Sequence, residues 1–263
     1  MTSFTQLATI EVLQFDNLRP FSSLTHFVST RNKVGEGSAF DSFNICDYTG
    51  DTSDHIFFNR QLLANALQIN LDRLIVPRQV HGDKIGIIEA GYFEKKNMEE
   101  VDAVITDCKG VCLTVSTADC VPILLYCPVK QVIAAVHAGW RGTVKEIAAK
   151  SVAQMIAQYG CDPKQIRAAI GPSISPEMFE VGEEVATAFK QAGYETAVVA
   201  SPVAGKAHID LWEANRLALV RAGVLDHHIE IAGICTYQQD QRFFSARRLG
   251  IHSGRISSGI LLK

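Results

Sequence analysis

The longest apolar stretch of the chain, Val111 to Cys127, limits most strongly what the chain can fold into. A run of this kind must leave water, either across a membrane or inside a core. A membrane span needs about 20 consecutive apolar residues, and Asp119 and Pro122 interrupt this run before that length is reached. It therefore reads as core. The chain around it has 263 residues, 47% of them hydrophobic and 20% charged, which is the balance of a soluble globular protein that can bury a large core.

Other runs rich in β-branched residues predict strands at Thr9–Leu13, Thr25–Thr30, Leu74–Val80, Ile85–Glu89 and Ala103–Thr106. Within and after the long run they continue at Val111–Ser116, Ile123–Cys127, Val132–His137, Ile166–Ile170, Ile229–Cys235 and Ile256–Leu262. Helical periodicity is clearest from Thr143 to Gly160. There Thr143 and Glu146 have capping-box spacing, and Val144, Ile147, Ala148, Val152, Met155, Ile156 and Tyr159 recur at i, i+3/i+4. Further helices are predicted from Ser53 to about Gln68, Gly182 to about Gln191, and Asp210 to about Arg221. Many strands with interspersed helices indicate an α/β or α+β layered fold. With no Pro/Gly/Ser-rich linker, charge block or repeat to divide it, residues 1–263 are expected to form a single domain.

A net charge of −3, and no basic stripe interleaved with aromatics, argue against a nucleic-acid partner. The N-terminal segment MTSFTQLATIEVLQF lacks the basic start and cleavage site of a signal peptide. The expected location is the cytoplasm, with no membrane partner. Cys46, Cys108, Cys112, Cys120, Cys127, Cys161 and Cys235 have no framework spacing, so most are expected to be reduced thiols acting as small buried hydrophobes.

Three motifs place reactive side chains at strand ends, where loops present chemistry on a rigid scaffold. They are RQVHGD with His81, TADC with Cys120, and HAGWRG with His137. Two imidazoles and a thiolate are a suitable donor set for Zn²⁺, and three protein ligands leave a fourth position open, as catalytic zinc requires. Two other readings stay open at this point: Cys120 as a nucleophile with His137 as its base, and all three as packing residues. Asp119 either orients a ligand imidazole or caps its own turn. Arg141 beside Trp140 either binds an anion or stacks on the indole. Gly139 and Gly142 are expected to serve a sharp turn into the helix, whose N-terminus also favours phosphate. FFSARR, Phe243 to Arg248, suits an anion or base-stacking surface, or an Arg-capped core edge.

Taken together, RQVHG, TADCVPILLY, AVHAGWRGT, IGPSIS…FEVGEEV, HIDLWEANRLAL, ICTY and RFFSARR…SGRISSGI resemble the YfiH/laccase-domain family over about residues 24 to 263. That family was once described as multicopper polyphenol oxidases and is now regarded as purine nucleoside phosphorylases. The resemblance implies mixed β-sheets packed together and flanked by helices, distantly similar to a deamidating bacterial toxin. It implies His81, Cys120 and His137 as zinc ligands, with Cys120 and His137 also catalytic. The implied activity is zinc-dependent phosphorolysis of adenosine, inosine and methylthioadenosine with adenosine deamination, so purine nucleosides and phosphate are the partners of a monomer or weak homo-oligomer. Family members usually carry TR-x-GG-x-S followed by SLN. Here STRNKVGEGSAFDSFN keeps Arg31, Ser38 and Asn44 but places its glycines at 35 and 37. Arg31 is then the catalytic cation for phosphate, with Arg31, Asn44 and Arg141 binding substrate.

Three rival readings remain. The main one is a cysteine-dependent amidase or hydrolase editing peptidoglycan precursors, which some bacterial members of the family suggest. A copper phenol oxidase calls for many clustered histidines, whereas this chain has 8 His in all and no His-x-His. A non-enzymatic binding module leaves the strand-end thiol and imidazoles without a purpose.

Overall fold

The apolar run at 111–127 folds as two strands, because Asp119 between them takes a left-handed φ of 88° that ends the extended backbone. This is seen in a computed structural model that describes residues 2–32, 42–89, 91, 98–251 and 253–263. Gly35, Gly37 and Ser38 of the N-terminal motif lie outside the described residues. The first strands are β1 (Ser3–Leu7), β2 (Ile10–Gln14), β3 (Leu24–Ser29), β4 (Leu74–Ile75), β5 (Ile85–Ile88) and β6 (Ala103–Thr106). The central strands are β7 (Cys112–Thr117), β8 (Val121–Cys127), β9 (Val132–Ala138) and β10 (Arg167–Ile170). Then follow β11 (Glu180–Gly182), β12 (Val198–Ala200), β13 (Lys206–Ile209), β14 (Ile229–Ile231) and β15 (Ile256–Leu262). The helices are α1 (Ser53–Leu67), α2 (Trp140–Val144), α3 (Ile147–Tyr159), α4 (Glu183–Gln191), α5 (Leu211–Arg221) and α6 (Ala246–Leu249).

The strands form three sheets, ordered β1-β2-β3-β15-β7-β4, β14-β10-β8-β9-β6-β5 and β11-β13-β12. The two six-stranded sheets pack face to face. Leu13, Val28, Val115 and Ile260 of the first meet Val104, Leu124, Ile133, Ala135 and Ala169 of the second. The opposite face of the second sheet carries Ile105, Ile123, Leu125, Ala134 and Val136, which pack on α3, α4 and α5 through Val152, Met155, Phe189 and Leu219. Both faces of β8 and β9 are thus buried, which is why their sequences are nearly continuous in apolar residues instead of alternating.

The fold is the mixed α+β arrangement expected, with local corrections. The strand predicted over Ile229–Cys235 ends at Ile231. The helix predicted from Thr143 is divided. Glu146 takes a left-handed φ of 61° between α2 and α3, and α2 begins earlier, with Gly139 as its N-cap. The capping box does not form, because Thr143 is buried with its hydroxyl donating to the Gly139 carbonyl at 3.0 Å and accepting from Asn215 at 3.1 Å. The strand predicted over Leu74–Val80 pairs with β7 by backbone only at Leu74 and Ile75. Further along, the Gln79 side-chain amide takes over, donating to the Ser116 carbonyl at 2.8 Å and accepting from the Ser116 amide at 2.7 Å. Among the described residues no helix is long and apolar enough to cross a membrane.

Candidate metal centre

The register of the second sheet builds the site. β8 and β9 pair antiparallel with Val121 opposite Ala138 and Pro122 opposite His137, so Cys120, one residue before β8, falls beside the end of β9. On the other side β6 pairs with β9, Ala103 opposite Val136, which puts Asp102 beside His137; the His137 amide donates to the Asp102 carbonyl at 2.7 Å. Alternation along the strands puts Cys120, His137 and Asp102 on the face toward the first sheet, the side of Leu124, Ala135 and Val104. His81 arrives from the first sheet, on the turn that Gln79 anchors to β7, and itself has a left-handed φ of 61°.

His81, Cys120 and His137 therefore converge, each offering one ligand atom within 4.8 Å of the others. Their exposure is graded, with His81 at the surface, Cys120 half-buried and His137 buried. The two imidazoles meet edge to face, with centroids 4.8 Å apart. Gly139 closes the group from behind. A Cβ there would stand 2.9 Å from His81 Cδ2 and 3.2 Å from Cys120 Sγ, and one on Gly142 would stand 3.0 Å from the Gly82 carbonyl. Both glycines are thus required by close approach. Neither has the positive φ that a turn role would use.

Sequence reasoning missed the residue that ties these parts together. Asp102 is fully buried and accepts from His137 Nδ1 at 2.8 Å and from the amides of His81 at 2.9 Å, Gly82 at 2.8 Å and Val80 at 3.3 Å. The one sequence signal for it was an acid directly before the apolar run Ala103–Thr106, at the end of the acidic stretch EEVD. The carboxylate that orients an imidazole is therefore Asp102. Asp119 instead accepts from the Thr236 hydroxyl and the Arg247 amide, each at 2.7 Å, and so fixes the FFSARR turn beside Cys120.

The charges of the group are strongly linked. Burial alone pushes the Cys120 thiol up, but the charge of His137 and hydrogen bonds from His137 and His81 outweigh it and bring the pKa down to about 6. Burial pulls His137 down, yet the Cys120 charge and the Asp102 hydrogen bond lift it to about 9. Without a metal the pair is a thiolate beside an imidazolium. Two imidazoles and a thiolate fit a tetrahedral N/S-preferring metal, and no fourth protein ligand joins them among the described residues.

The remaining sequence candidates make contacts of their own. Arg31 docks on the 240–244 segment, its guanidinium 5.0 Å from the Phe244 ring and donating to the Asp240 carbonyl. Arg141 is exposed and stacks on Trp140 at 4.3 Å. Asn44 has no exposed surface. Its amide donates to Asp51 at 3.0 Å, Thr49 at 3.2 Å and the Cys46 carbonyl at 3.3 Å, and its oxygen accepts from the amides of Cys46 and Arg255, both at 3.2 Å. These bonds tie Asn44 to the 44–51 loop.

A family model described as multi-copper polyphenol oxidoreductase laccase matches residues 25–263. The chain belongs to this laccase/YfiH family. It is 41% identical to a purine nucleoside phosphorylase of Bacteroides thetaiotaomicron, over 95% of this chain and 96% of that one. It is also 41% identical to adenosine deaminase RL5 from an unknown prokaryotic organism, over 97% of this chain and all of that one. The crystal structure of YlmD from Geobacillus stearothermophilus superposes with a TM-score of 0.87 at 31% identity, over the whole of both chains. The first two of these relatives are named as a phosphorylase and a deaminase, and the chain belongs with them among enzymes. A multi-copper centre calls for several metal sites, whereas the described residues gather one such group, two imidazoles and one thiolate.

Proposed function

We propose that the chain is a zinc-dependent purine nucleoside phosphorylase acting on adenosine, inosine and methylthioadenosine, with adenosine deaminase activity. The observation that carries this reading is the convergence of His81, Cys120 and His137 within 4.8 Å, in a chain similar along its length to both a phosphorylase and a deaminase. Zinc, when bound, supplies Lewis acidity, the property that makes water a nucleophile near neutral pH.

The chain's own residues do the rest. Thiolate and imidazoles hold the metal, and Gly139 leaves the ligand face unobstructed. Phosphorolysis needs an anion held against C1′ of the ribose while the base departs, so positive charge and orientation dominate. Arg31, whose Nε has no hydrogen-bond partner among the described residues, and the exposed Arg141 are the cations we assign to phosphate. The test is base and ammonia release from adenosine and inosine, with and without phosphate. Base release should require phosphate and ammonia release should not. Base release that ignores phosphate would refute the phosphorylase assignment.

One observation favours a second reading. The Cys120 thiolate beside a protonated His137 is also the resting state of a cysteine nucleophile, as an amidase or hydrolase editing peptidoglycan precursors would need. In that case a thiol alkylator should abolish activity, leaving an adduct on Cys120, while a chelator has no effect.

A further inference from the structure

Four donors converge on the buried carboxylate of Asp102: Oδ1 takes His137 Nδ1 and the His81 amide, and Oδ2 takes the amides of Gly82 and Val80. An ionised carboxylate only accepts, so Nδ1 of His137 must carry a proton and a neutral His137 must present its lone pair at Nε2. The same carboxylate holds the turn on which His81 sits in a left-handed conformation uncommon for residues other than glycine. We propose that Asp102 is the positioning residue of this site, fixing the His137 tautomer through Nδ1 and clamping residues 80–82, so that one side chain aims both imidazoles at one point. The proposal rests on the metal reading of the site.

Its consequence is specific. In Asp102→Asn one oxygen becomes an NH₂ donor, and backbone amides cannot give up their protons to accommodate it. Placed at Oδ2, the NH₂ would oppose two amides. Placed at Oδ1, it would oppose only the His81 amide, provided that His137 moves its proton from Nδ1 to Nε2. The substitution should therefore switch the His137 tautomer and place a proton on the nitrogen that would bind the metal.

Two measurements decide it, each made on wild type and Asp102→Asn: zinc affinity by chelator competition, and long-range proton–nitrogen NMR of the imidazoles in metal-free protein in alkaline buffer. The wild type should show His137 protonated at Nδ1. Asp102→Asn should show Nε2 protonated and bind zinc roughly 10–100-fold more weakly, while keeping the wild-type circular dichroism. An unchanged tautomer, or zinc affinity within about twofold of wild type, would overturn the proposal. Should Asp102→Asn fail to fold, the wild-type spectrum still decides, since a proton on Nε2 there refutes it. A wild type that binds no zinc removes the metal reading alone, because the metal-free tautomer continues to test Asp102.

Discussion

At the scale of single residues, the site depends as much on an absent side chain as on the three present. Gly139→Ala would set a Cβ 2.9 Å from the His81 ring and 3.2 Å from Cys120 Sγ, distances that force one of them to move. Its backbone already has an ordinary φ of −67°, so the fold should tolerate alanine, with a stability loss of about 1 kcal/mol as for other N-caps. Metal affinity should fall on the order of 10-fold or more, read by chelator competition beside thermal unfolding. Equal affinity in variant and wild type would mean that the ligands do not close on Gly139. His81, Cys120 and His137 were legible as motifs because a thiol and imidazoles at strand ends are unusual chemistry. Asp102 was not, because an acid beside Glu99 and Glu100 before an apolar run looks like an ordinary strand flank. The burial of Asn44 was not legible either, because a motif carries no information about which way a side chain faces.

At the scale of elements, strands were legible where both faces are buried, as in β8 and β9, and helices where one face is apolar, as in α3. Strand β13, with Lys206 and His208 at alternate positions, and the three-residue β11 and β12 offered no such pattern. Strand β3 carries a second testable feature. His26 is 2% exposed and its Nε2 accepts the Phe15 amide at 2.8 Å. Burial first, and the charge of Arg19 second, hold its pKa at about 4 against an ordinary 6.5. Between these values the unfolded chain binds a proton that the native chain refuses. The stabilisation is therefore complete above pH 6.5 and is lost as pH falls toward 4, by up to about 3 kcal/mol. Urea unfolding at neutral and mildly acid pH should show this loss in wild type, and a smaller one in His26→Gln. The same acid loss in both would place its origin elsewhere.

At the scale of the whole molecule, two packed sheets, the first covered outside by α1 and the second by α3, α4 and α5, hold the site where the sheets meet, β8, β9 and β6 contributing from one and the Gln79-anchored turn from the other. Layer class was readable from element order; strand order was not, because β15 pairs with β3 and β7 across most of the chain's length. All seven cysteines are free, and Cys46, Cys112, Cys127, Cys161 and Cys235 are buried as packing residues. Thiol titration of denatured, unreduced protein should therefore find seven thiols, and a stable disulfide would contradict this. One metal at His81, Cys120 and His137 is proposed to support nucleoside cleavage. The most direct test is to strip the protein with a chelator and titrate zinc back while following phosphate-dependent base release from adenosine and inosine. Activity should be lost on stripping and recover to saturation at one zinc per chain, and Cys120→Ser should show neither metal nor activity; full activity in the stripped protein, abolished by alkylation of Cys120, would contradict a metal-dependent site.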